Sequence, residues 1–245
     1  VGTGNVSHHL QKAFSQTDQI NVIKVLPGRS DFRSIFSTEN SDQHYLKNAD
    51  VFVISVKDDA IETVSKHFEN STKLIVHTSG SISLNAIPKR VRRGVFYPLQ
   101  TFSKERQVDF KNIPICLEAD EYKDMELLKK MGRSISDTVY EIDSKQRKVL
   151  HLAAVFVNNF SNHLYQIGSE ICEENKVSFD LLKPLIAETA AKIETLNPTE
   201  AQTGPARRND IETIKKHLEQ LQNIKHKQLY STLTESIQDT YGEKL

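Results

Sequence analysis

The sequence carries no excess of either charge: 32 Lys and Arg stand against 32 Asp and Glu. A chain whose main partner is nucleic acid needs a basic face, so that partner is not expected. A small anionic ligand needs only a local pocket and stays open. Cysteine is scarce, and Cys116 and Cys172 lie far apart in apolar segments. Without a framework of paired cysteines, a reducing cytoplasm is the expected location. No run approaches the ~18 apolar residues of a membrane span, so no membrane anchoring is expected, and no signal peptide is visible. HExxH, CxxC and clustered carboxylates are missing, which leaves a metal site without support. No G-x-S-x-G elbow is present, so a Ser-His-Asp hydrolase is unsupported as well.

What is present starts at the first residue. Val1-Gly2-Thr3-Gly4-Asn5-Val6-Ser7 reads as G-x-G-x-x-small. In a dinucleotide fold the first Gly makes the strand-to-helix turn and the second lets backbone approach a pyrophosphate. The third small residue lets the helix pack on the strand. Leu10, Ala13 and Phe14 recur at helical spacing, so a helix follows and offers its free N–H groups to phosphate. The strand expected before Gly2 is represented by Val1 alone, so the first strand of such a fold is expected to be missing from this sequence.

Ile20–Leu26 is rich in β-branched residues and reads as the next strand, ending in Pro27-Gly28-Arg29-Ser30. An acidic residue there would suit the ribose hydroxyl of NAD. Arg29 and Ser30 suit a 2′-phosphate instead, which points to NADP; a solvated turn arginine is the alternative. Asp50–Val56 is a buried parallel-type strand running into Lys57-Asp58-Asp59 and a helix at Ile61–Phe68. Lys73–Val76 ends in His77-Thr78-Ser79-Gly80-Ser81, and Gly94–Tyr97 ends in Pro98-Leu99-Gln100. Small and polar residues at the carboxyl ends of parallel strands are site material. His77 there suits a proton donor or a carbonyl-orienting group, though a strand cap is the plainer alternative. Short strands at Ile113–Leu117 and Val139–Ile142 flank a helix at about 121–134.

Beyond residue 143 strand signals stop, and helical periodicity covers about 144–174, 179–195, 209–223 and 226–240. The first of these helices places His151, Val155, Asn158 and Asn162 on one stripe at 100° per residue, with Asn159 and His163 beside it. Buried polar groups of this kind need partners. Bundle hydrogen bonding or a dimer seam is one explanation, and a polar face turned to a cleft is the other. For His151 the first explanation weighs at least equally; for Asn158 and Asn159 the reading leans to function.

The segments GTGNVSHHL, VKDDAI, HTSGS, GVFYPLQTFS, HLAAVFVNNFSNHLY and QTGPARRND resemble those of the NADP oxidoreductase-like proteins that join a Rossmann domain to a helical domain of unknown function. More distantly the chain is similar to pyrroline-carboxylate reductase, ketopantoate reductase and the 6-phosphogluconate dehydrogenase superfamily. The resemblance implies that Gly2, Thr3, Gly4, Asn5 and Val6 hold pyrophosphate and that Arg29 and Ser30 hold the 2′-phosphate. It implies that Ser55, Val56 and Lys57 pass near the nicotinamide ribose, with the His77–Ser81 loop beside nicotinamide and substrate. Many relatives carry a catalytic Lys with an Asn one turn on. Here the comparable stretch has Asn158 and Asn159, with Lys148 well upstream, which departs from a Lys-based mechanism. The Thr203–Asp210 loop resembles a substrate-pocket loop of a dimer, which brings Arg207 and Arg208 toward a substrate carboxylate.

The expectation is therefore an α/β chain: a Rossmann-type, mostly parallel sheet in a dinucleotide-binding domain over residues 1–142, then an all-α substrate and dimerisation domain over 143–245. Its expected function is NADP(H)-dependent hydride transfer to or from a small polar, anionic metabolite in the interdomain cleft. His77, Ser79, Asn158 and Asn159 are the expected catalytic residues. Gly80, Tyr97, Gln100, Thr203 and Arg208 are expected to bind substrate. His77, Ser79, Gln100 and one of the two asparagines should converge on that cleft, and the C-terminal helices should form a homodimer. The alternative is an NADP(H)-binding sensor or scaffold without turnover; a methyltransferase-like Rossmann protein fits the loop at Arg29 poorly.

Overall fold

The computed structural model describes residues 1–27 and 48–241. Helix α1 (Asn5–Phe14) opens the chain and precedes a five-stranded sheet. Its strands are β1 (Val51–Ile54), β2 (Leu74–His77), β3 (Arg93–Pro98), β4 (Ile115–Ala119) and β5 (Val139–Glu141), in that spatial order. Pairing is parallel except between β3 and β4. Helix α2 (Ile61–Lys66) follows β1, and α3 (Tyr122–Arg133) joins β4 to β5.

The β2 sequence Leu-Ile-Val-His is buried throughout because both faces of the sheet are covered. Successive side chains point to opposite faces. Leu74 and Val76 accordingly pack in the cluster that includes Leu10, Phe14 and Leu128 from α1 and α3, while Ile75 joins Phe52, Ile61 and Phe68 on the α2 side. The result is the expected mostly parallel Rossmann-type layer structure. One expected strand differs. Ile20–Leu26 runs beside the Gly2 turn without a strand ladder, tied to it where Gly2 N–H donates to the Leu26 carbonyl at 2.7 Å. Val1 lies between that segment and β1, its amine donating to the Val53 carbonyl at 2.5 Å and its carbonyl accepting from Ser55 N–H at 2.7 Å.

The rest is helical: α4 (Ser144–Ala154), a π-helical turn (Val155–Phe160), α5 (Ser161–Glu174), α6 (Lys183–Lys192), α7 (Pro198–Ala201), α8 (Ile211–Gln220) and α9 (Ile224–Tyr241). Helix α4 starts at a capping box, in which Asp143 accepts from Gln146 N–H and the Gln146 side chain accepts from Asp143 N–H. A second capping box at Asn197 and Glu200, with Pro198 in the first turn, starts α7. The π turn interrupts the expected stripe, because i→i+5 bonding advances each residue by less than an α-helix does. His151 and Asn162 therefore flank a change of pitch, and His151, Asn158 and Asn162 do not form one α-helical line.

The chain forms two compact units, Val1–Asn158 and Asn159–Leu245, which part within that π turn. The strand pattern ends near residue 142, but α4 goes with the first unit because Arg147 fixes it to the sheet. Arg147 is fully buried and is paired with Glu118 of β4. It also donates to the Ile82 carbonyl at 2.5 Å, and Ser144 Oγ lies 2.8 Å from the Glu118 carboxylate. Among the described residues, no helix is long and apolar enough to cross a membrane.

Candidate functional site

The site begins at Gly2. Its φ of +118° lies in the region that favours glycine, and a Cβ there would stand 2.0 Å from the Ser55 carbonyl oxygen. The turn therefore lies directly on the carboxyl end of β1. Ser7, buried at the third small position, donates from Oγ to the Gly2 carbonyl at 2.7 Å and closes the turn onto the helix. At Gly4 a Cβ would meet nothing within 4 Å, so bare backbone faces open space. Gly4 starts α1 with no side-chain cap and no acidic residue in the first turn. The leading N–H groups of α1 thus have no intrahelical acceptor, and the helix dipole adds positive potential there. This cradle fits the pyrophosphate of a dinucleotide. Thr3, Gly4 and Asn5 are exposed and Val6 is half-buried. Asn5 donates from Nδ2 to the Phe102 carbonyl at 2.7 Å, and His9 Nε2 donates to the Ser103 carbonyl at 2.8 Å, so the loop after β3 clasps α1.

The strand ends on the same edge are stitched together. Ile54 pairs with His77, and Thr78 N–H donates to the Ile54 carbonyl at 3.1 Å. Ser55 is buried, Val56 half-buried and Lys57 exposed. Ser79 Oγ accepts from the N–H groups of Ser81 and Ile82 at 3.2 and 3.1 Å, and Ser81 Oγ donates to the Asp58 carboxylate. The turns after β1 and β2 are therefore one braced loop pair. Gly80 is buried against Tyr97 and His151.

His77 has no solvent exposure. Its Nδ1 accepts from Ser79 N–H at 3.2 Å, which places the proton of the neutral ring on Nε2. Nε2 makes no hydrogen bond of good geometry among the described residues, the Ser83 backbone being the polar neighbour that most favours a proton on the ring. Burial, followed by the charge of Arg147, pushes the pKa down to about 4; the Ser83 carbonyl and Asp58 oppose this without outweighing it. At neutral pH His77 is an uncharged hydrogen-bond donor. On β3, burial first and the nearby Cys116 second push Tyr97 up to about 12, and burial raises Cys116 to about 11.

His77, Ser79, Gly80 and Tyr97 thus come together at the carboxyl ends of β2 and β3. Gln100 lies in the loop beyond, exposed, its Oε1 accepting from Thr101 N–H at 2.8 Å. Asn158 is an exposed member of the π turn in the first unit. Asn159, Thr203 and Arg208 belong to the second unit and are all exposed. In that unit's loop, Arg207 is occupied locally: it donates to the Glu200 and Gln202 carbonyls and stacks 5.2 Å over the Tyr241 ring. Arg29 and Ser30 lie outside the described residues. A cavity of about 840 Å³ reaches the Gly2 turn at Val1, Ser7 and Ser55 and continues past Leu10, Val22 and Val51; His77, Ser79, Gly80 and Tyr97 do not line it.

Sequence reasoning named Asp58 and Ser81 only as members of their turns, left His151 evenly weighed between a structural and a site role, and missed Glu118 and Arg147. The Arg147–Glu118 pair joins residues 29 apart on different elements, so no local spacing announces it. Burying a charge requires a partner, but only the fold shows that Arg147 is buried.

Residues 113–237 match the model of a domain of unknown function, DUF2520. The chain is similar to a solved Bacteroides fragilis protein provisionally named an NADP oxidoreductase, with 37% identity, 97% of this chain and 96% of that one covered, and a TM-score of 0.83. A Thermotoga maritima protein of known structure shares 25% identity over 80% of each chain, with a TM-score of 0.65. A Plasmodium falciparum pyrroline carboxylate reductase solved with NADP bound shares the fold, at 14% identity, coverage of 99% and 92%, and a TM-score of 0.55. No protein of curated function matches the sequence.

The buried neutral His77 has a consequence for stability. Its pKa falls on folding from near 6.5, so between pH 6.5 and 4 the unfolded chain binds the extra proton. The contribution of His77 is complete above pH 6.5 and is lost as pH drops through 4. At about 1.36 kcal/mol per pKa unit this amounts to about 3 kcal/mol. Urea unfolding at pH 7 and pH 4 is expected to show that loss in the wild type and a smaller one in His77→Gln. Equal losses in both proteins would contradict the assignment.

Proposed function

The chain belongs to the DUF2520 family, and from that membership and the bare-backbone cradle at Gly2 and Gly4 we propose that it is an NADP(H)-dependent oxidoreductase acting on a small polar, anionic metabolite. The observation that carries the reading is an uncapped helix start, free of acidic residues, behind a glycine turn seated on β1. Such a start suits an anionic group, and in a fold of this type a pyrophosphate. The NADP oxidoreductase name of the Bacteroides fragilis relative supports the same cofactor. Bound there, the nucleotide supplies the hydride; the protein supplies position and electrostatics.

Gly2, Thr3, Gly4, Asn5 and Val6 would hold the pyrophosphate, and Ser55, Val56 and Lys57 would continue toward the ribose. His77, Ser79 and Gly80 would orient the substrate, with Gln100, Asn158, Asn159, Thr203 and Arg208 as further candidates. His77, being neutral, acts in this reading as a hydrogen-bond donor through Nε2 rather than as a charged acid. The complete burial of His77 also favours the second reading, NADP(H) binding without turnover.

Arg29 and Ser30 set the expected cofactor preference. NADP should bind more tightly than NAD by roughly 1–3 kcal/mol, the scale of a charge-assisted pair between Arg and phosphate. Calorimetry with both nucleotides reads this directly. Arg29→Ala should remove most of the difference, and equal affinities in the wild type would refute the 2′-phosphate assignment.

The second unit is proposed to form a homodimer with its copy. Its helices leave Leu181, Leu185 and Ile224 exposed at 71%, 62% and 66%, apolar surface that a partner can cover. A copy of the same chain is the partner always present at matching concentration, and a two-fold interface would cover the same residues on both protomers. Light scattering at micromolar concentration should give twice the chain mass of 27.9 kDa. A monomer would overturn the dimer.

A further inference from the structure

A second titratable pair stands beside His77, in a more open place. The Tyr97 hydroxyl lies 3.2 Å from His151 Nδ1, and the two rings meet edge to face. Both residues are partly exposed, whereas His77 is not. Gly80 forms the floor beneath them. A Cβ there would stand 2.7 Å from His151 Nδ1 and 2.8 Å from the Tyr97 hydroxyl. A larger residue at position 80 must therefore push the pair apart. The two side chains come from elements 54 residues apart, β3 and α4. Arg147, one turn before His151, locks those elements through Glu118 and the Ile82 carbonyl.

The placement matches the edge already described. His77 pairs with Val95, so Tyr97 stands two residues further along β3, level with the Ser79–Gly80 backbone. β1, under the Gly2 turn, is two strands away, about 10 Å at the usual strand spacing.

We propose that Tyr97 is the catalytic proton donor of this site and that His151 is the positioning residue that arms it. The proposal rests on the oxidoreductase reading. When a carbonyl or imine carbon is reduced by the two electrons of a dihydronicotinamide, its oxygen or nitrogen gains a proton. The Tyr97 O–H bond breaks as the new O–H or N–H bond forms. The phenolate recovers a proton from His151 Nδ1, and the imidazole is reprotonated by solvent.

The hydrogen-bond direction makes this state-dependent. Neutral His151 with a free Nδ1 accepts from Tyr97, and the hydroxyl proton then points away from substrate. Charged His151 donates from Nδ1 to the Tyr97 oxygen, which frees the hydroxyl proton for substrate. Burial keeps Tyr97 protonated at neutral pH. The charged and titratable groups facing the pair are Arg147 on α4, His77 on β2, Cys116 on β4 and Asp58 in the turn after β1. Arg147 is paired with Glu118.

The test uses the full chain and four proteins: wild type, Tyr97→Phe, His151→Gln and Gly80→Ala. Calorimetry measures NADPH binding. Loss of NADPH absorbance is followed across pH over a panel of small aldehydes, 2-oxo acids and cyclic imines. NADPH affinity should be unchanged in all three variants. Tyr97→Phe should lower kcat roughly 10²–10⁴-fold, the usual worth of a positioned general acid. Gly80→Ala should lower it comparably with both side chains retained. The wild-type fall of kcat with rising pH should disappear in His151→Gln. Undiminished kcat in Tyr97→Phe or an unchanged pH limb in His151→Gln would overturn the pair while leaving the dinucleotide reading intact. NADPH binding without turnover of any panel member by the wild type also overturns it. Absence of NADPH binding would instead defeat the reading beneath it.

Discussion

The contact between Gly2 and Ser55 is the constraint on which the candidate site depends. Backbone meets backbone there at a distance no side chain permits, with a Cβ on residue 2 placed 2.0 Å from the Ser55 oxygen. That approach sets where α1 begins, and so where its uncapped N–H groups lie relative to the sheet. It also places the proposed phosphate cradle on the edge where β1 and β2 end. The absence of a side chain makes the fit here, as it does at Gly80.

From that point the edge is built outward by short, well-partnered connections. The β1 and β2 turns are joined through Asp58, Ser81 and Ser79, and the β2 turn is pinned to α4 through Ile82 and Arg147. Arg147 is buried with its charge, which is tolerable only because Glu118 and the Ile82 carbonyl receive it. Removing one partner of such a pair typically costs about 3–5 kcal/mol, far more than the pair adds over an apolar pair. Its value lies in position: it fixes helix to sheet where Tyr97, Gly80 and His151 meet. Rigid support beneath a small constellation is what positional catalysis requires.

Much of the fold was legible in the sequence because its signals are local. The glycine turn, the apolar run Leu74–Val76, the strand ends and the change to helical period beyond residue 143 all appear as expected. Ile20–Leu26 carried strand composition, yet a strand requires a neighbour along its length, which composition does not reveal. The π turn was invisible for a similar reason, since a shift of backbone bonding over six residues has no residue-type signal of its own. In the site, His77, Ser79, Gly80 and Tyr97 were found by their place at strand ends. Arg147, Glu118 and His151 were not, because their meaning comes from contacts across 29 to 65 residues of chain.

Hydrogen exchange measured residue by residue, with and without NADP, tests the central claim most directly. The first-turn amides of α1 at Asn5 and Val6 have no intrahelical acceptor, so they should exchange readily in the free protein and slow when nucleotide is bound. Slowing at Asn5, Val6 and the Ser55–Lys57 turn is the expected result. Nucleotide binding that leaves the Asn5 and Val6 amides unchanged would contradict the assignment of this edge as the dinucleotide site.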